Sequence, residues 1–588
     1  MVENHQTARF RPPVRYTVRF TDRRTHYLSI EACLPVESQP EVEIFMPVWT
    51  PGSYLVREYA RNIEAISVSD AAGNALSFAK SRKNRWQVQT GGAAEIRFAY
   101  RLYCREMSVR TNWVEDSFAL LNGAPTFVTV TGCLARPHEL LLDPPPEWKT
   151  TITGLPEVPG DVPHRYLAED YDALVDSPIL CGNPAVYTFE IDGIPHFLAN
   201  EGERGVWDGP RSAADAAKLV RRYGEMWGAL PYRKYVFLNL LTEAPGGLEH
   251  RNSACLMASR WAARARKSYL TWLNLVSHEF FHVWNIKRLR PVELGPFDYE
   301  NENYTRSLWI AEGITEYYGP LTVRRAGLSS TDEYLGALSK KIQSLQSTPG
   351  RHAQSVEQAS WDAWIKLYRP DENSVNSAIS YYTKGAVVGW LLDASIRQST
   401  DGAKSLDDLM RAAFERFSGA RGFTPEEFKA LASDVAGIPL HDFFRQTVES
   451  TEELDYTQAL DWFGLRFKDP EPPKNGGTIG GVIGCDTRID HGRLIVKRVP
   501  RDTPAFEAGL SVDDEIIALD DFRVLPEQIS HRLESCRPGD KVSILLARRE
   551  VLMRIDLTLG EEPKRWALEI RPDATEEQKR NLGNWLGL

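Results

Sequence analysis

The sequence predicts a multidomain α+β protein, and three observations carry that expectation. At 588 residues the chain is well beyond the size at which a single hydrophobic core stops growing. Its composition, 42% apolar, 10% aromatic and 26% charged, is that of a folded globular protein rather than a disordered one. The hydrophobic pattern also changes period along the chain, from the two-residue alternation of strands to the wider spacing of helices and back.

From Tyr16 to about Val130, alternating β-branched and aromatic runs such as residues 16–20, 66–69 and 96–100 are separated by turn signals including Gly73-Asn74. That pattern predicts an antiparallel β domain over residues 1–175. An alanine-rich amphipathic segment at 212–227, followed by an apolar strand at 235–241, opens a mixed α/β domain over 176–325. Helix-compatible segments at 334–345, 386–396, 406–417 and 425–436 predict a helical domain over 326–455. The run from Asp469 to Gly477 is too rich in Pro and Gly to continue regular structure and reads as a linker. Strands at 494–499 and near Val542 and Ile555 predict a small β module over 456–565, followed by a tail at 566–588.

Charge and cysteine usage narrow the function. With 70 basic and 80 acidic residues the net charge is −10, which disfavours nucleic acid as a partner because phosphate contacts need a basic surplus. The seven cysteines are scattered and never form a C-x-x-C pair, as expected for reduced thiols in a cytoplasmic protein. The first residues of the given chain lack the apolar core of a signal peptide, and no stretch reaches the length of a membrane span.

The sharpest chemical signal is His278-Glu279-Phe-Phe-His282, inside an apolar stretch from Leu270 to Trp284 that contains no Pro or Gly and is expected to be helical. Residues four apart share a helix face, so both imidazoles can meet one metal ion while Glu279 reaches a water beside it. The third ligand is expected in a second helix-compatible run, Ser307-Leu-Trp-Ile-Ala-Glu312-Gly-Ile-Thr-Glu316. A carboxylate in so apolar a segment needs a compensating cation, and Glu312 is the candidate. Glu316, one turn on, has two readings: a partner for the outer N–H of a ligating histidine, or a solvated helix carboxylate.

This spacing resembles the gluzincin zinc metallopeptidases. The longer string from His278 through Val-Trp-Asn-Ile-Lys-Arg-Leu-Arg to Pro291 resembles the glycyl aminopeptidase family, whose members commonly carry a PDZ domain, as do Trp49-Thr-Pro-Gly-Ser-Tyr54 and Arg57-Glu-Tyr-Ala-Arg-Asn62. The resemblance implies a thermolysin-like catalytic domain, one Zn2+ per chain held by His278, His282 and Glu312, and Glu279 as general base. It also implies that Tyr382, in Tyr382-Thr-Lys-Gly385, stabilises the developing oxyanion, with Tyr381 as its neighbour. Pro245-Gly246-Gly247-Leu-Glu249-His250 resembles the segment with which related aminopeptidases grip a substrate's free α-amine, although Leu248 and His250 depart from that pattern. Gly246 and Gly247 then let the substrate approach the backbone, and Glu249 binds the ammonium. Arg288 and Arg290 have two readings, binding a substrate carboxylate or pairing with acidic neighbours, and the structural one is favoured.

The last module resembles a PDZ domain through residues 503–510 and 513–520, with Gly480-Gly-Val-Ile-Gly484, or as a rival Phe463-Gly-Leu-Arg-Phe467, as the loop that receives a peptide's C-terminal carboxylate. The tail ends Asn584-Trp-Leu-Gly-Leu588 and either occupies such a groove or packs on a core. The expected function is a zinc aminopeptidase acting on peptides with a free N-terminus, with small terminal residues such as Gly or Ala implied by the family alone. The alternatives are a zinc endopeptidase guided by its PDZ domain and an inactive PDZ interaction protein. Neither nucleic acid nor membrane is expected as a partner.

Overall fold

The computed structural model describes residues 12–469 and 480–588, and the chain folds into two compact units. One runs through Tyr304 and adds Tyr318–Ser329 and Arg411–Thr424; the other holds Thr305–Tyr317, Ser330–Met410 and the chain from Pro425 on. The proposed linker lies, except for Asp469, outside the described residues.

The first unit begins with β sheets. Val14–Asp22 buries Val14, Tyr16, Val18 and Phe20 on one face, as its alternation requires, and pairs antiparallel with Tyr27–Pro35, which pairs in turn with Glu95–Tyr103. Its other neighbour, His138–Asp143, runs parallel to it, so the N-terminal sheet is antiparallel except at this pair. A long excursion through other strands intervenes, which is what a parallel return demands.

A five-stranded sheet follows, ordered Ala185–Ile191, Ile194–Glu201, Tyr235–Leu241, Ser253–Ala258, Gly246–Glu249. Every residue of Tyr235–Leu241 is buried, the near-continuous apolar run expected of a strand with parallel neighbours on both sides. Gly246–Glu249 doubles back along Ser253–Ala258 and sets Glu249 opposite Ala254, at the sheet's edge. Helix Gly209–Trp227 begins with Asp208 accepting from the Arg211 N–H and ends at Gly228, whose φ of +83° suits a residue without Cβ. The helix carrying the paired histidines spans Arg266–Phe281, so it stops short of the expected Trp284 and His282 itself caps it.

In the second unit, helix Tyr381–Ser399 is buried along most of its length. The expected helix around Glu312 starts differently: Trp309–Ile314 is a wide π turn that leads into α-helix Thr315–Arg325. Gly313 explains it, because a Cβ there would lie 2.5 Å from the Gly385 Cα, so the two backbones touch where the turn widens. Such turns recur at functional sites.

The C-terminal β module is an insertion rather than an appendage. Strand Leu465–Phe467, before it, pairs antiparallel with Leu568–Ile570, after it, and helix Glu576–Leu586 follows. Phe463-Gly-Leu-Arg-Phe467 therefore belongs to this closing ribbon, with Gly464 at φ +62° ending helix Thr457–Phe463, and is not a carboxylate loop. The module itself is an antiparallel sheet around Val496, Ile516, Ile544 and Leu546. The tail takes the packing alternative at Trp585 and Leu586, whereas Leu588, also expected to pack, is exposed. Trp585 is fully buried, stacks on Phe463 at 4.2 Å, and donates its indole N–H to the Tyr317 hydroxyl at 2.7 Å, which donates to Asp393 at 2.7 Å. Filling that slot buries a large ring with its polar handle satisfied.

Among the described residues no helix is long and apolar enough to cross a membrane. Removing the indole in Trp585→Ala is expected to destabilise the helical unit by about 3–5 kcal/mol. Trp585→Phe, which keeps the stacking, should cost less, and denaturant unfolding followed by circular dichroism measures both.

Candidate functional site

In the first unit the last turn of helix Arg266–Phe281 aims two imidazoles at one point. The Nε2 atoms of His278 and His282 stand 3.1 Å apart, with both side chains buried. His282 Nδ1 lies 2.7 Å from the Asn285 carbonyl, which can only accept. The His282 proton therefore sits on Nδ1, and its Nε2 presents a lone pair toward His278, the state a metal ligand requires. The donor set thus fits a divalent metal of the zinc type.

Glu279 is also buried, and the edge strand crosses beside it: a Cβ on Gly247 would fall 2.0 Å from Glu279 Oε1 and 2.7 Å from Leu275 Cδ1. Gly247 is therefore glycine because the backbone touches the carboxylate. Glu249, at the end of that strand, is 3% exposed, and one ligand atom each from Glu249, Glu279 and His282 lie within 4.8 Å of one another. The N-terminal domain closes the far side. Gly52, at φ +86°, is pressed so closely against Glu249 that a Cβ would meet its two oxygens at 2.4 and 2.7 Å. Gly52 belongs to the Trp49–Tyr54 motif, but its contact with Glu249 has no signal in the sequence.

Glu249 also faces a cation that sequence reading missed as a neighbour. Lys287 Nζ stands 3.7 Å from Glu249 Oε1 and 2.9 Å from Asp176 Oδ1. His250, left undetermined by the sequence, turns its Nδ1 to the same Asp176 at 3.1 Å. Arg288 donates to the carbonyls of Arg251, Val283 and Pro231, and Arg290 to that of Gly295, which are structural tasks.

In the second unit Glu312 is 2% exposed on the π turn. Glu316 pairs with Lys341. Tyr382 is the second residue of helix Tyr381–Ser399, which Ser380 caps. Its ring stacks on Tyr381 at 4.7 Å, and its hydroxyl lies 3.5 Å from that of Tyr368, a neighbour with no sequence signal. Burial first, then the Glu312 carboxylate and the two neighbouring phenols, push the Tyr382 phenol well above its ordinary pKa, so it is a neutral hydrogen-bond donor at neutral pH.

Comparison with known proteins agrees with this architecture. Residues 15–183 match the model of the peptidase M61 N-terminal domain, residues 271–388 that of M61 glycyl aminopeptidase, and residues 481–559 that of the PDZ domain. No curated protein matches the chain. Among solved structures it is similar to an aminopeptidase N family protein from Idiomarina loihiensis, with 30% identity, a TM-score of 0.90, and coverage of 97% of this chain and 100% of that one. A fainter likeness, too low to carry an argument, is to an M1 zinc metallopeptidase from Deinococcus radiodurans, at 12% identity and a TM-score of 0.49 over 75% of this chain and 94% of that one. With two family models and a near-full-length relative in agreement, the chain belongs to the M61 glycyl aminopeptidase family of peptidases.

Proposed function

We propose that this peptidase is a zinc-dependent aminopeptidase of the gluzincin type, which removes N-terminal residues from peptides. His278, His282 and Glu312 would hold one Zn2+ per chain: the two imidazoles aim their Nε2 atoms at one point, and the resemblance to the gluzincins gives the third ligand as Glu312. Two neutral imidazoles and one carboxylate leave a dication with net positive charge, which supports a catalytic role. When bound, zinc supplies Lewis acidity to the scissile carbonyl and to a water.

The chain's own residues supply the remaining chemistry. Glu279 takes the proton of the attacking water and delivers it to the leaving amine. The Tyr382 phenol donates to the oxygen on which negative charge develops. Gly246 and Gly247 let the substrate lie along the edge strand, and Glu249 receives its α-ammonium.

Glu249 is the observation that favours an aminopeptidase over an endopeptidase. A buried carboxylate lies within 4.8 Å of the general base, and its Oε1 has no hydrogen-bond partner among the described residues. Such a group is costly unless a cation joins it, and the first residue of a peptide brings one. The PDZ module is proposed to bind C-terminal peptide segments, with residues 480–484 as the carboxylate loop.

The direct test is digestion of a free-amine peptide and its N-acetylated twin by metal-loaded enzyme, with products identified by mass. Stepwise loss of N-terminal residues from the free peptide alone is expected, and Glu249→Ala should abolish the discrimination. Rapid internal cleavage of the acetylated peptide by the wild type would establish the endopeptidase alternative instead. The metal assignment separates two carboxylates: Glu312→Gln should lower zinc content, while Glu279→Gln should keep zinc and lose turnover, as elemental analysis and single-turnover assays report.

A further inference from the structure

Behind Glu249 lies a charged group that peptide hydrolysis as described does not use. Lys287, five residues past His282, is fixed by Asp176, which accepts from its ammonium at 2.9 Å. Asp176 also faces His250 Nδ1 at 3.1 Å and accepts from the Arg251 N–H at 2.7 Å. Burial alone would raise the Asp176 carboxyl, but Lys287 and His250 outweigh it and hold it well below the usual carboxylate range. The three side chains are largely withdrawn from water, with Lys287 9%, Asp176 18% and Glu249 4% exposed.

The geometry is asymmetric. Lys287 makes a hydrogen bond to Asp176 yet stops 3.7 Å from Glu249 Oε1, beyond hydrogen-bond range. Glu249 Oε1 is left buried without a hydrogen-bond partner among the described residues, although the Gly52 backbone, which lacks a side chain there, passes close to both carboxylate oxygens. Two carboxylates and one ammonium sum to a single negative charge. The one ammonium of this trio is engaged by Asp176, and the acceptor left without a hydrogen bond, Glu249 Oε1, is where a substrate's ammonium belongs.

We propose that Asp176 and Lys287 are positioning residues that reserve Glu249 for one substrate α-ammonium. Asp176 restrains the lysine from closing the last gap, and Lys287 supplies the countercharge that allows two carboxylates to be buried together. The proposal rests on Glu249 being the α-amine acceptor. Its consequence is specific: without Asp176, Lys287 can swing onto Glu249 and compete with substrate from within the protein.

The test measures KM and kcat for a free-amine tripeptide amide on zinc-loaded enzyme, with zinc content and melting temperature recorded for every variant. Asp176→Asn is expected to raise KM by about tenfold or more with a smaller change in kcat, because the released lysine neutralises Glu249. Asp176→Asn/Lys287→Met, which restores a single negative charge, should bring KM back to within about threefold of wild type. Lys287→Arg keeps the charge but extends its donors toward Glu249, and should raise KM by about fivefold or more.

A double variant as impaired as Asp176→Asn, or an Asp176→Asn KM within about twofold of wild type, overturns the proposal. If Asp176→Asn does not fold, Lys287→Arg carries the test, and its unchanged KM overturns the assignment. Glu249→Ala separates the two levels. An unaltered KM in that variant removes the aminopeptidase reading itself, whereas a raised KM beside an additive Asp176–Lys287 cycle removes only the roles of those two residues.

Discussion

Buried negative charge is the constraint around which this molecule is organised. Glu249, Glu279 and Glu312 are each 5% exposed or less. A carboxylate removed from water is stable only beside a cation or a full set of hydrogen bonds. The fold answers this partly with its own cation, Lys287, and the proposed zinc and the proposed substrate ammonium would answer the rest. The close backbones follow from the same demand: Gly52 and Gly247 let chain segments reach carboxylate oxygens where any side chain would collide.

The framework around these charges is held by long-range packing. In the second unit, Glu312 sits on a π turn set by the contact of Gly313 with Gly385, and the α-helix continuing from that turn contains Tyr317. Tyr317 joins Asp393 of the central helix to Trp585 of the C-terminal helix. Because the PDZ module is inserted between Leu465–Phe467 and Leu568–Ile570, the chain leaves the helical unit, folds the module, and returns to complete that unit's core. The C-terminal helix is thus part of the structure that supports Glu312, although more than 250 residues separate them.

What the sequence revealed follows from how local each signal was. The i, i+4 histidines declare their shared face, and an apolar segment with a lone carboxylate declares a buried charge, so the convergence of His278 and His282 and the burial of Glu312 were legible without coordinates. Helices Leu406–Phe417 and Pro425–Ala436 match their sequence boundaries because amphipathic spacing and local breakers define their ends. The end of the paired-histidine helix at Phe281 was not legible, since the apolar run continues through Trp284 and only the turn to Asn285 stops it. The π turn, the grip of Gly52 on Glu249, and the Asp176–Lys287 pair were equally hidden. Each depends on chain segments that meet only in the folded state, and Asp176 and Lys287 are 111 residues apart.

The most direct test of this account is the stability of the metal-free chain with and without one equivalent of Zn2+, followed by calorimetric melting. Because the proposed site exists only in the native state, zinc should raise the melting temperature and saturate at one ion per chain, and the rise should vanish in His278→Ala/His282→Ala. An unchanged melting temperature in the wild type, or the same rise in the double variant, would contradict the claim that these buried groups are arranged around a metal.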